Sequence, residues 1–116
     1  MTQSVIACFY CGLPADTVDH IIPRVVVTAL MDIQFTAGRM TVPACRECNS
    51  ALGAKVFSDP LEKKRWIKVW LRQRYKRVLQ MPPWSESELA ELQFNLREMT
   101  EAALRLKELI KSRIAW

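Results

Sequence analysis

The order of apolar and polar positions divides the chain into two unlike halves. In the first half the apolar residues come in short runs. Thr17-Val18-Asp19-His20-Ile21-Ile22 has strand character, with Pro23 marking its end or a turn, and Met40-Thr41-Val42 reads as a second short strand before Pro43. Between them, Val25-Val26-Val27 favours strand, whereas Val26, Leu30 and Ile33 fall on one helical face. A short helix followed by a loop through Gly38 is the reading adopted there. A further short helix is expected after Cys48, with Asn49 or Ser50 as its N-cap.

The second half has helical periodicity. Asp59-Pro60-Leu61-Glu62 supplies a capping side chain, a proline at the first helical position and an acid in the first turn. The helix is expected to run to about Leu79, with apolar faces from Trp66, Ile67, Trp70, Leu71, Tyr75 and Val78, and to be ended by Met81-Pro82-Pro83. Ser85 and Glu88 form a capping box for a final helix over about 86–114. Leu89, Leu92, Leu96, Met99, Ala103, Leu106 and Ile110 recur on it at alternating spacings of three and four. That is a heptad seam on a helix roughly 40 Å long, and a seam needs a partner. The two candidates are an antiparallel hairpin with the 60–79 helix and a homodimer through the seam.

These patterns predict an α+β fold with an N-terminal module over 1–58 and a mostly helical extension over 59–116. Composition adds a location for the charge. The formal net charge is +5, yet residues 1–58 carry four basic and four acidic side chains, 59–80 carry eight and two, and 81–116 carry five and six. The excess is a patch formed by Lys63, Lys64, Arg65, Lys68, Arg72, Arg74, Lys76 and Arg77, as a polyanion partner requires. No segment approaches the ~20 apolar residues of a membrane span, and the first residues lack the basic start and apolar run of a signal peptide. A cytoplasmic protein with no membrane partner is the expectation.

In that reducing setting two close cysteine pairs read as metal ligands. Cys8-Phe9-Tyr10-Cys11-Gly12 and Cys45-Arg46-Glu47-Cys48 are two knuckles separated by 33 residues, the pattern of a four-thiolate structural zinc site. Iron in the same cage, a redox dithiol and a disulfide are the weaker alternatives. Structural zinc contributes on the order of 10–16 kcal/mol of apparent folding free energy, which matters in a segment too short for a large core.

Three motifs now stand in order: Cys8-x-x-Cys11-Gly12, then Asp19-His20-Ile21-Ile22-Pro23, then Val42-Pro43-Ala44-Cys45-Arg46-Glu47-Cys48-Asn49. Together they resemble the HNH endonuclease family, in the branch whose ββα-metal finger is braced by four cysteines. The resemblance covers about residues 8–52. It implies a metal-dependent DNA endonuclease with one magnesium or manganese ion held by Asp19 and Asn49. His20, the only histidine, would deprotonate the attacking water and leave 5′-phosphate and 3′-hydroxyl ends, while the zinc stays structural. The chemistry of the residues agrees, because phosphodiester hydrolysis needs a base for water and a cation for the developing charge. Arg46, between two zinc ligands, is placed to reach the phosphate, and the basic helix to hold the DNA.

The chain departs from the family at position 40, where methionine stands in place of an asparagine whose amide ties down the histidine loop, and in the apolar stretch 24–37. Two further readings follow: a non-catalytic zinc-finger DNA-binding protein, and a protein-interaction module built on the heptad seam. Whether one strand or two would be cut depends on the oligomer.

Overall fold

The two short extended runs that lie between the cysteine knuckles pair with each other. The structure is a computed structural model and describes residues 6–20, 41–57 and 59–116. Strands β1 (Thr17–His20) and β2 (Thr41–Ala44) form a two-stranded antiparallel sheet in which Thr17 faces Ala44 and His20 faces Thr41. Pro43 lacks an N–H, but its carbonyl accepts a 2.9 Å bond from the Phe9 N–H, which fastens the first knuckle to β2. The helix considered at 25–33 and the position of Met40 lie outside the described residues.

Helix α1 (Arg46–Leu52) begins inside the second knuckle, with Cys45 as its N-cap. Its cap lies four or five residues earlier than the expected Asn49 or Ser50, so the knuckle turn itself opens the helix. Asn49 is consequently an interior helical residue, not a cap. Gly53 closes α1 with φ +53°.

Helix α2 (Pro60–Arg74) starts as its sequence predicts: the Asp59 carboxylate accepts from the Glu62 N–H at 2.8 Å. The single helix expected over 60–79 is interrupted at Tyr75, after which α3 (Lys76–Leu79) forms a separate turn. The capping box is present, since the Ser85 N–H donates to Glu88 and the Glu88 N–H to Ser85 Oγ. The helix that it opens, α4 (Glu86–Ala90), is nevertheless short, and α5 (Phe94–Ala115) begins after a break at 91–93. Gln93, at ψ 152°, ends the helical hydrogen-bond ladder there. The long heptad helix is therefore two helices, and its seam is divided with them.

The hairpin is the partner that the C-terminal part of the seam finds. Helix α5 packs on α2 and α3, Ile110 is buried, and Lys107 Nζ donates to the Met81 carbonyl at 2.6 Å. Toward the N-terminal end of α5, Phe94 is 73% exposed and Met99 68% exposed. Ile67 and Leu71 of α2 join Leu52, Tyr10, Ala44 and the four cysteines in one buried cluster. The cysteines are thus part of the core.

The C-terminal residue closes over the first knuckle. Gly12 has φ +79°, and a Cβ placed on it would lie 2.5 Å from the Trp116 ring, whose Nε1 donates to the Phe9 carbonyl at 3.1 Å. Gly12→Ala is expected to lower stability by about 1–3 kcal/mol through the backbone conformation alone, with a further loss from displacing Trp116. A thermal unfolding cycle with Trp116→Ala separates the two: in that background the Gly12→Ala cost should shrink to the backbone part.

Candidate metal centre and the Asp19-His20 strand

The two knuckles bring their sulfurs together. Cys8, Cys11, Cys45 and Cys48 are all buried, and their Sγ atoms lie within 4.8 Å of one another, with Cys11 and Cys45 3.7 Å apart. A tetrahedron with Zn–S bonds of about 2.3 Å has sulfur–sulfur edges of about 3.8 Å, so the cluster is compatible with a structural zinc site. The thiols also oppose one another's ionisation. Hydrogen bonds from Cys11 and Cys48 hold the Cys8 thiol far down, whereas the bonds to Cys11 and Cys8 and burial push Cys48 far up. Four thiolates at this spacing would need a cation between them.

Strand alternation sends Asp19 and His20 to opposite faces. Asp19 is 4% exposed and turns toward the core. Its Oδ2 accepts two bonds, from Tyr10 Oη at 2.5 Å and from Lys63 Nζ at 2.8 Å. The same ammonium donates to the His20 carbonyl at 3.0 Å. Tyr10 belongs to the first knuckle and Lys63 to α2, so one carboxylate ties both to β1. Burial and the Asp19 charge push the Tyr10 hydroxyl up, which keeps it a neutral donor. Lys63 is 1% exposed, and that removes it from the basic surface expected to meet a polyanion. The helical period explains why: Lys63, Ile67 and Leu71 share the inner face of α2.

His20 is partly exposed, yet its Nδ1 is buried and has no hydrogen-bond partner among the described residues. Asn49 reaches the same strand from α1, its Nδ2 donating to Thr17 Oγ1 and to the Val18 carbonyl, each at 3.2 Å. Thr17 in turn donates to the Ala44 carbonyl at 2.8 Å. Asp19, His20 and Asn49, singled out from the sequence, are thus gathered on or against β1. The oxygens Asp19 Oδ1 and Asn49 Oδ1 have no hydrogen-bond partner among the described residues.

The other expected contact residues lie apart from Lys63. Arg65, Arg72, Lys76 and Arg77 are exposed on α2 and α3, and Lys68 is half-buried. Lys64 Nζ stands 5.4 Å from the Phe9 ring centre. Arg46 pairs with Asp16 at 3.0 Å, and Arg74 with Glu47 at 3.3 Å while lying over Trp70. Arg46, Arg74, Glu47, Ser50, Ala51 and Trp70 line an open cleft of about 490 Å³ beside α1.

Tyr10 and Arg113 are not singled out from the sequence as site residues, and Lys63 is expected there on the basic surface, not beside Asp19. For Tyr10 a signal existed in its place between two ligands. For Lys63 it lay in the register with Ile67 and Leu71.

Lys63→Met should destabilise the fold by about 3–5 kcal/mol in urea unfolding, because it leaves the Asp19 charge buried without its partner, and Asp19→Asn in the same chain should restore part of that. Metal analysis of purified protein is expected to find one tightly bound zinc per chain, and Cys45→Ser should abolish it together with the β-sheet signal in circular dichroism.

Comparisons with protein-family models, curated proteins and solved structures returned no match.

Proposed function

We propose that the chain is a zinc-braced, metal-dependent endonuclease of the HNH type that hydrolyses phosphodiester bonds in DNA. The observation that carries this reading is the convergence on β1: the only histidine and an adjacent acid end the strand, and an asparagine from α1 is bonded to it. A binding module alone does not require that trio.

The donor set fits a hard divalent cation. Asp19 and Asn49 each offer an Oδ1 with no partner among the described residues, and magnesium or manganese sites commonly use one or two protein oxygens, the rest being water and phosphate. Such an ion, when bound, supplies charge neutralisation at the phosphate and at the leaving oxygen. Tyr10 and Lys63 hold Oδ2 and so fix the direction of Oδ1, while Asn49 commits its amide nitrogen to the strand. In this way Asn49 tethers β1 two residues before His20, a job that methionine at position 40 cannot do.

His20 is the base. Its neutral imidazole takes a proton from water, the water oxygen attacks phosphorus, and the bond to the 3′ oxygen breaks, leaving 5′-phosphate and, after protonation, 3′-hydroxyl. Because Asp19 and His20 leave β1 on opposite faces, a phosphate reached by both lies across the end of the strand. The exposed cations of α2 and α3, with Arg46, form the surface for the flanking DNA backbone.

The closed Asp19-Lys63-Tyr10 cluster favours a second reading, in which Asp19 is purely structural and the chain binds DNA without cutting it. A supercoiled-plasmid assay separates the two. With magnesium or manganese the wild type should nick or linearise plasmid, and His20→Ala should be slower by about 10²–10⁴-fold. Binding with no cleavage by the wild type selects the second reading, and equal cleavage by His20→Ala removes His20 from the chemistry. Replacing Arg65, Arg72 and Lys76 by alanine should reduce the slope of log affinity against log salt by about 2–3. An unchanged slope would return α2 to a solvated face.

A further inference from the structure

The last turn of α5 delivers a buried guanidinium to the sulfur cluster. Arg113 is 3% exposed, and its Nη2 stands 4.0 Å from Cys45 Sγ and 3.9 Å from Cys48 Sγ. Its Nη1 pairs with Glu47 Oε1 at 2.5 Å. Glu47 is itself held in place by the Tyr75 hydroxyl at 2.5 Å and by Arg74 Nε at 3.3 Å. Arg113 is 65 residues from Cys48 and 68 from Cys45 in the sequence, and Trp116, three residues on, covers the other knuckle. The end of the chain therefore touches both halves of the cage.

Four thiolates around Zn²⁺ carry a net charge of −2, and in a buried site that charge is costly without N–H donors aimed at the sulfurs. Arg113 is a permanent cation with a rigid fork of donors, so it can serve two acceptors at once. Here the acceptors are the second-knuckle sulfurs and the carboxylate between them. A plain packing role does not account for this arrangement, because an arginine sheltered from water at that depth needs the negative charge it faces.

We propose that Arg113 is an outer member of the metal centre: it compensates the charge of the cysteine-bound zinc and couples retention of the metal to docking of the C-terminal helix. The coupling is reciprocal, so zinc steadies α5 by the same free energy with which α5 steadies zinc. This rests on zinc in the four-cysteine cage and is independent of catalysis. A metal analysis without zinc would remove that premise before Arg113 is tested.

The test compares zinc-loaded wild type, Arg113→Met, Arg113→Lys and Ile110→Ala, the last loosening the same helix without touching sulfur. Transfer of zinc to excess chelator should be about 10–100-fold faster for Arg113→Met. It should be intermediate for Arg113→Lys, and within about threefold of wild type for an Ile110→Ala chain of equal or lower melting temperature. In protein reloaded with ¹¹³Cd, the metal resonance should move in Arg113→Met and stay in place in Ile110→Ala. Should Arg113→Met not fold, the same comparison of Arg113→Lys with Ile110→Ala decides. Zinc loss that tracks melting temperature across all variants, or a cadmium resonance unmoved by the Arg113 substitutions, would overturn the proposal and leave Arg113 as a packing residue of α5.

Discussion

A cluster of four sulfur atoms within 4.8 Å of one another occupies the centre of the buried cluster formed by the described residues. Among the described residues, Tyr10, Leu52, Ile67 and Leu71 join it as fully buried bulky apolar or aromatic groups. Burial of four such side chains is worth a few kcal/mol each at best, against roughly 1–2 kcal/mol of backbone entropy for every residue ordered. A metal held by the four cysteines would add to that balance by making the knuckles one rigid body. The two-stranded sheet, α1 and the start of α2 then have a fixed surface on which to pack.

From that centre two polar ties run outward, and both use charge where an ordinary core would use hydrocarbon. One is the Tyr10-Asp19-Lys63 cluster, which joins knuckle, strand and α2 at a single carboxylate oxygen. The other is Arg113 with Glu47, Tyr75 and Arg74, which joins α1, α2 and α5 at a single glutamate. Buried pairs of this kind are poor sources of net stability but penalise any arrangement that separates the partners. They therefore define how the helical extension sits on the four-cysteine part. Asp19 is consequently both a structural anchor and, in the proposed reaction, a provider of the one oxygen that the anchor leaves over.

The basic surface and the site are linked by the same geometry. Helix α2 presents Lys63 inward to β1, while Arg65 and Arg72 point to solvent. A single helix thus sets the orientation of the strand and of the cations flanking it. DNA held on the outer face of α2 would meet the end of β1 at a distance fixed by the Lys63 bond.

How much of this was legible in the sequence depends on the range of the forces involved. Local rules gave the Asp59 and Ser85 caps, the two strands and the paired knuckles, because each depends on neighbours a few residues apart. Local rules also overshot: they made one helix of 60–79 and one of 86–114, since periodicity records apolar spacing and not the bend that lets Tyr75 reach Glu47 or the extended Gln93 that ends a ladder. Lys63 was counted among surface cations because charge by itself argues for water, and only the carboxylate brought to it across 44 residues reverses that preference. Arg113 left no local trace for the same reason. The sequence by itself determined the two cysteine knuckles, the lone histidine beside an acid and the Asp59 and Ser85 helix starts. Tertiary structure alone decided which charges are buried, because their partners lie tens of residues away in the sequence.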